Sequence, residues 1–116
     1  MNSDKKNSGP LQRIFEERAA DMAEDKRVRL MAMLSDSVQF YVKGSKERFF
    51  VKFEGGEFSC VEGIEKKPGT TITISESDLE AIAEDRLNPQ IAMISEKVKI
   101  EGNTALALYV FNIITD

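Results

Sequence analysis

The sequence predicts an α+β domain: a five-stranded, mainly antiparallel sheet covered by helices. Three observations predict it. Apolar residues recur at helical spacing as far as Leu34, switch to every second position between Val38 and Ser75, and return to capped helical segments with one further strand among them. A chain of 116 residues holds one core, and no repeat of roughly 20 to 50 residues is visible.

Residues 1–10 are polar, lack an apolar period and end in Gly9-Pro10, so they read as a mobile tail ahead of a single domain over 11–116. Leu11, Ile14, Phe15, Ala19 and Met22 then fall on one helical face, and Arg13, Glu16, Glu17, Asp21 and Glu24 on the other. The charged run Glu24-Asp25-Lys26-Arg27 interrupts this stripe before Leu30, Met31, Met33 and Leu34 resume it, a pattern that fits one bent helix or two. Val38, Phe40 and Val42 alternate with polar neighbours, Gly44-Ser45 supplies a turn, and Phe49, Val51 and Phe53 complete a hairpin. A second tight turn at Glu54-Gly55-Gly56-Glu57 leads into Phe58-Ser59-Cys60-Val61, since paired glycines accept positive φ. Residues 62–69 read as a loop, and Thr70 to Ser75 as a β-branched strand with Ile72 and Ile74 on one face. Four strands in succession point to an antiparallel meander or a close relative.

Ser77 followed by Glu80 fits a capping box for a helix carrying Leu79, Ile82 and Ala83. Asn88-Pro89 opens a second short helix with Ile91, Met93 and Ile94. Val98 and Ile100 alternate as the fifth strand, and Asn103 caps a last helix from Thr104 to Ile114. That helix is apolar around its whole circumference, relieved only by Tyr109 and Asn112, where a surface helix would show a polar stripe. It must therefore meet apolar matter on more than one side. The sheet supplies one side; solid core, a partner chain or a bound apolar ligand supplies the other.

Composition removes most chemistry. Histidine is absent, taking with it the commonest general base and metal ligand. The single Cys60 lies mid-strand with Glu57 and Glu62 as its nearest charges, which raise a thiol pKa, so it reads as structural. Zinc has no grouped ligands, and Glu80, Glu84 and Asp85 lack the spacing of a calcium loop and read as a solvated acidic face. No glycine pattern cradles phosphate, and no serine has a base. The chain is expected to have no catalytic residue, metal or cofactor, and not to be an enzyme. Its net charge of -4 divides as 0 over residues 1–36, +1 over 37–75 and -5 over 76–116, without a dense basic tract, so neither nucleic acid nor an anionic lipid surface is an expected partner. The longest apolar run, Ala105 to Phe111, is too short for a transmembrane segment, and the lone cysteine with no apolar leader points to the cytoplasm.

Thr71-Ile-Thr-Ile-Ser-Glu-Ser-Asp-Leu79, Leu87-Asn-Pro-Gln90, Lys97-Val-Lys-Ile-Glu-Gly-Asn103 and Ala105-Leu-Ala107 together resemble the sterol carrier protein 2 (SCP2, nonspecific lipid-transfer) family. The likeness extends more loosely upstream through Phe49–Gly55, Val38–Val42 and Leu11–Leu34. Three departures stand out: Phe49 or Phe50 where many relatives carry Trp, Asp85-Arg86 in place of Gly-Lys, and Glu96 where a Gly commonly precedes the Lys-x-Lys-Ile strand.

The resemblance implies an apolar tunnel between sheet and helices that accepts a fatty acyl chain, acyl-CoA or a sterol. On that reading the chain is a lipid-binding carrier. Its lining residues would be Leu106, Val110, Phe111 and Ile114 of the terminal helix, Ile91 and Ile94 of the Asn-Pro helix, and Leu79 and Ile82, with the Asn-Pro helix as a lid. Each of these side chains fits solid core equally well. The rival reading is a dimerisation or scaffold module without a ligand, whose apolar excess at Phe50 or along the terminal helix is buried in an isologous homodimer.

Overall fold

Two helices, four strands, two short helices, a fifth strand and a terminal helix follow one another in the computed structural model, which describes residues 9–34, 36–45, 47–54 and 56–115. They are α1 (Pro10–Ala20), α2 (Glu24–Met33), β1 (Val38–Lys43), β2 (Arg48–Glu54), β3 (Glu57–Glu62), β4 (Thr70–Ser75), α3 (Glu76–Ala83), α4 (Pro89–Ile94), β5 (Val98–Glu101) and α5 (Thr104–Phe111). Of the tail expected over residues 1–10, residues 1–8 lie outside the described ones, and Pro10 is already the first residue of α1. The Glu47 carboxylate caps that helix, accepting the backbone N–H groups of Leu11 at 3.2 Å and Gln12 at 3.1 Å. The interrupted stripe resolves into two helices because Ala23 adopts an extended ψ of 150° between them.

The sheet order is β3-β2-β1-β4-β5, with β1 and β4 parallel and the other pairs antiparallel. The strands are thus mainly antiparallel but do not form a simple meander, because the connection from β3 crosses β2 and β1 and sets β4 on the free edge of β1. Register gives the reason. Beside β1, Ile72 and Ile74 stand opposite Phe40 and Val42, all four buried on one face. Next to β3 they would have met half-exposed and charged neighbours.

The crossing residues 62–69 are held on the opposite face by Gln39, which alternates with Val38 and Phe40 and is wholly buried. Its Nε2 donates to the carbonyls of Phe49 (3.1 Å), Phe40 (3.2 Å) and Gly63 (3.0 Å), and its Oε1 accepts the Glu65 N–H at 2.7 Å. A buried amide is stable only when its hydrogen-bonding capacity is used, and here that capacity fixes the route of the chain.

On the helical face, Phe15 of α1 packs at 4.9 Å from Phe40 and 5.6 Å from Phe49, Phe40 and Phe49 stack at 5.0 Å, and Phe111 of α5 meets Phe40 edge-on at 6.1 Å. The later caps follow the sequence with one shift. Asn88 accepts from Gln90 and Ile91, and Asn103 from Leu106, as expected. The α3 cap is Ser75 rather than Ser77, because β4 ends at Ser75 and its Oγ already accepts the Asp78 N–H at 3.1 Å.

Both α3 and α4 end in the same hydrogen-bond pattern. Arg86 N–H reaches the Ala81 carbonyl and Lys97 N–H the Ala92 carbonyl, each at 2.8 Å, which forces the preceding Asp85 and Glu96 to positive φ of 61° and 63°. Two of the departures from the family pattern are therefore acids placed where the backbone favours glycine. Replacing Asp85 or Glu96 by Gly should raise the free energy of unfolding by about 1 kcal/mol each in urea denaturation; a loss of stability would contradict this account of the caps. Gln39→Leu should cost roughly 2–4 kcal/mol and abolish hydrogen-exchange protection at Glu65, since carbonyls and an N–H are orphaned.

Candidate functional site

The residues expected to line a ligand site divide into two groups. Leu79, Ile82, Leu106, Val110, Phe111 and Ile114 are buried and belong to one continuous core. Ile91 and Ile94 project outward, 58% and 81% exposed. The inward side chain of α4 is Ala92, wholly buried, and residues spaced as Ile91 and Ile94 share the other face of a helix. Phe50, considered for an interface, is buried on the far face of the sheet with the Lys52 ammonium 5.6 Å from its ring.

The all-round apolar character of the terminal segment is also resolved. Leu106, Ala107, Val110 and Phe111 of α5 are buried, as are Ile113 and Ile114 in the turn that follows, while Ala105, Tyr109 and Asn112 face solvent. The second side is met by the α1–α2 arm. Arg18 donates to the Ile114 carbonyl at 2.8 Å and Lys26 to the Asn112 carbonyl at 2.7 Å, so two cations tie the arm to carbonyls at the end of the terminal segment.

A roomier concavity than any beside these residues lies at the outer flank of the sheet, among the described residues. A cavity of about 640 Å³ opens between α1, α2 and β3, lined by Glu16, Ala19, Ala20, Arg27, Gly56, Glu57, Phe58 and Cys60. Its floor is apolar and half-buried: Ala19, Phe58 and Cys60 pack against the core, and Phe58 meets Phe53 edge-on at 5.5 Å. Cys60 pairs in register with Val51, which pairs with Val38, so the floor continues into the innermost row of the sheet. The rim is charged. Arg27 is bound to Glu24 at 2.7 Å and donates to the Gly56 carbonyl at 2.9 Å.

Sequence reasoning missed this place because a cavity is defined by what fails to fill it. The signal was the small pair Ala19-Ala20 facing an edge strand whose inward positions are Phe58 and Cys60. Nothing about Cys60 equips it as a nucleophile. Burial pushes its thiol pKa well above the ordinary range, and the carboxylates of Glu16 and Glu47 push it further the same way.

A family model described as the SCP-2 sterol transfer family matches residues 13–115. The chain belongs to this family. Sterol carrier protein 2 of Bos taurus is 32% identical to it over 94 residues, covering 78% of this chain. The chain spans 17% of that relative's length. Among solved structures, the sterol carrier protein domain 2 of Helicoverpa armigera shares 26% identity at a TM-score of 0.66, covering 88% of this chain and 80% of that one. The apo form of sterol carrier protein 2 from Yarrowia lipolytica superposes with a TM-score of 0.69 at 14% identity, covering 89% and 85%. The SCP-2 fold is thus common to all, and no helix among the described residues is long and apolar enough to cross a membrane.

The environment of Cys60 yields a pH prediction. A thiol whose folded-state pKa lies above its unfolded value contributes stability that is intact below the unfolded pKa, near 9.0, and is lost as pH rises above it. Unfolding free energy measured by denaturant titration should therefore fall between pH 8 and pH 10.5 in the natural sequence and fall less steeply in Cys60→Ala; parallel slopes would contradict the assignment.

Proposed function

We propose that this SCP-2 domain is a carrier for an apolar lipid with a single chain or a slender ring system, received at the cavity between α1, α2 and β3 and extended inward between sheet and helices. The observation that carries the reading is the apolar floor of Ala19, Phe58 and Cys60, which packs against the core beneath an opening of about 640 Å³, within the usual size of small-molecule sites. The names of its relatives, sterol carrier proteins, support the ligand class. Beyond the floor, the lipid would part the layer formed by Leu79, Ile82, Leu106, Val110, Phe111 and Ile114. Ile91 and Ile94 would join the lining when α4 turns inward over a bound ligand.

Energetics are compatible with carriage. Twelve buried methylenes gain about 10 kcal/mol, from which immobilisation and parting of packed side chains subtract several. About 6 kcal/mol remains, a dissociation constant of tens of micromolar. Such a lipid is held and released without any acid, base or nucleophile, in keeping with a chain that has no histidine and one suppressed thiol.

Native mass spectrometry of freshly purified protein should show copurified lipid, and a fluorescent long-chain probe should bind saturably. Ala19→Trp fills the mouth of the cavity and should weaken probe binding by about tenfold or more, while thermal unfolding shifts by a few degrees only. Unchanged binding in a folded Ala19→Trp protein would move the ligand away from this cavity.

A further inference from the structure

Three charged side chains stand around the mouth of the cavity, and their arrangement bears on the lipid's polar end. Glu16 comes from α1, Arg27 from α2 and Glu57 from the start of β3. The guanidinium is already matched: its Nη2 lies 2.7 Å from the Glu24 carboxylate, its Nε donates to the same carboxylate at 3.3 Å, and its Nη1 is spent on the Gly56 carbonyl. Glu16 accepts from the amide of Gln12 at 3.1 Å, a neutral partner that orients the carboxylate without cancelling its charge. Among the described residues lining the cavity, two carboxylates therefore face one guanidinium whose charge a third carboxylate has taken up.

We infer that this cavity selects against a lipid ending in a carboxylate and takes one ending in an uncharged hydroxyl. The inference rests on the carrier reading given above. An incoming carboxylate would have to displace Glu24 from Arg27 while approaching the exposed carboxylates of Glu16 and Glu57, which repel it. A hydroxyl has no such difficulty. It donates to a Glu16 or Glu57 oxygen and leaves the Arg27–Glu24 pair intact. Burial chiefly, and the Glu16 and Glu47 carboxylates in addition, push the Cys60 thiol pKa up, in line with the acidic character of this rim.

The test is competition by dodecanol and dodecanoate, chains of equal length, against a pyrene-labelled long-chain alcohol at pH 7.5. Dodecanol should displace the probe at about tenfold lower concentration than dodecanoate. Desolvating a carboxylate favours the alcohol at any apolar site, so the double variant Glu16→Gln, Glu57→Gln isolates the contribution of the cavity. In it the ratio should fall to about twofold or less. An undiminished ratio in the double variant overturns the inference, as does equal or stronger displacement by dodecanoate in the natural sequence. Failure of both competitors, with no saturable probe binding, would instead remove the carrier reading on which the inference stands.

Discussion

Phe40 is the residue on which the rest of the fold depends. Its ring stacks on Phe49, receives Phe15 of α1 and the edge of Phe111 of α5, and its strand neighbour on the other side is Ile72. One side chain thus joins the opening helix, the first hairpin, the parallel strand and the terminal helix. Aromatic side chains bury large apolar areas and prefer these tilted and offset contacts. The layer between sheet and helices is consequently filled at its centre, and the cavity of about 640 Å³ lies at the β3 flank, where Ala19 and Ala20 leave the edge strand incompletely covered.

On the carrier reading proposed above, that division explains how the domain is stable without cargo. A permanently open tunnel would forfeit the packing that stabilises a domain of this size. Here the core is closed around Phe40, and the cavity at the β3 flank has an apolar floor with a charged rim. The α1–α2 arm beside this cavity is tied to the turn after α5 by Arg18, which donates to the Ile114 and Ala83 carbonyls, and by Lys26, which donates to the Asn112 carbonyl. Phe15 and the Glu47 cap hold α1 itself against the aromatic cluster.

What could be read from the sequence was local. The helical and strand periods, the Asn88 and Asn103 caps and the turn glycines each depend on neighbouring residues, and the resemblance to the SCP2 family followed from contiguous motifs. The crossover was not readable, because it depends on Gln39 meeting Gly63 and Glu65 across the sheet, and in the sequence Gln39 is merely the polar member of an alternation. The outward turn of Ile91 and Ile94 was hidden for a similar reason: in a helix of six residues the smallest apolar side chain, Ala92, is the one that fits against the body of the protein. Most of the expected lining residues were recognised as inward-facing. Whether an inward residue meets a side chain or a cavity depends on the opposite wall, which is distant in sequence.

The central claim is that a lipid occupies the space running from the β3 flank toward the Phe40 cluster. Isotope-filtered nuclear Overhauser spectroscopy on ¹³C-labelled protein with unlabelled dodecanol measures this directly. The account predicts contacts from the alkyl chain to the Ala19 methyl and the Phe58 ring, continuing to the methyls of Val51 or Ile114. Contacts restricted to Ile91 and Ile94 at the surface, with none at Ala19 or Phe58, would contradict it.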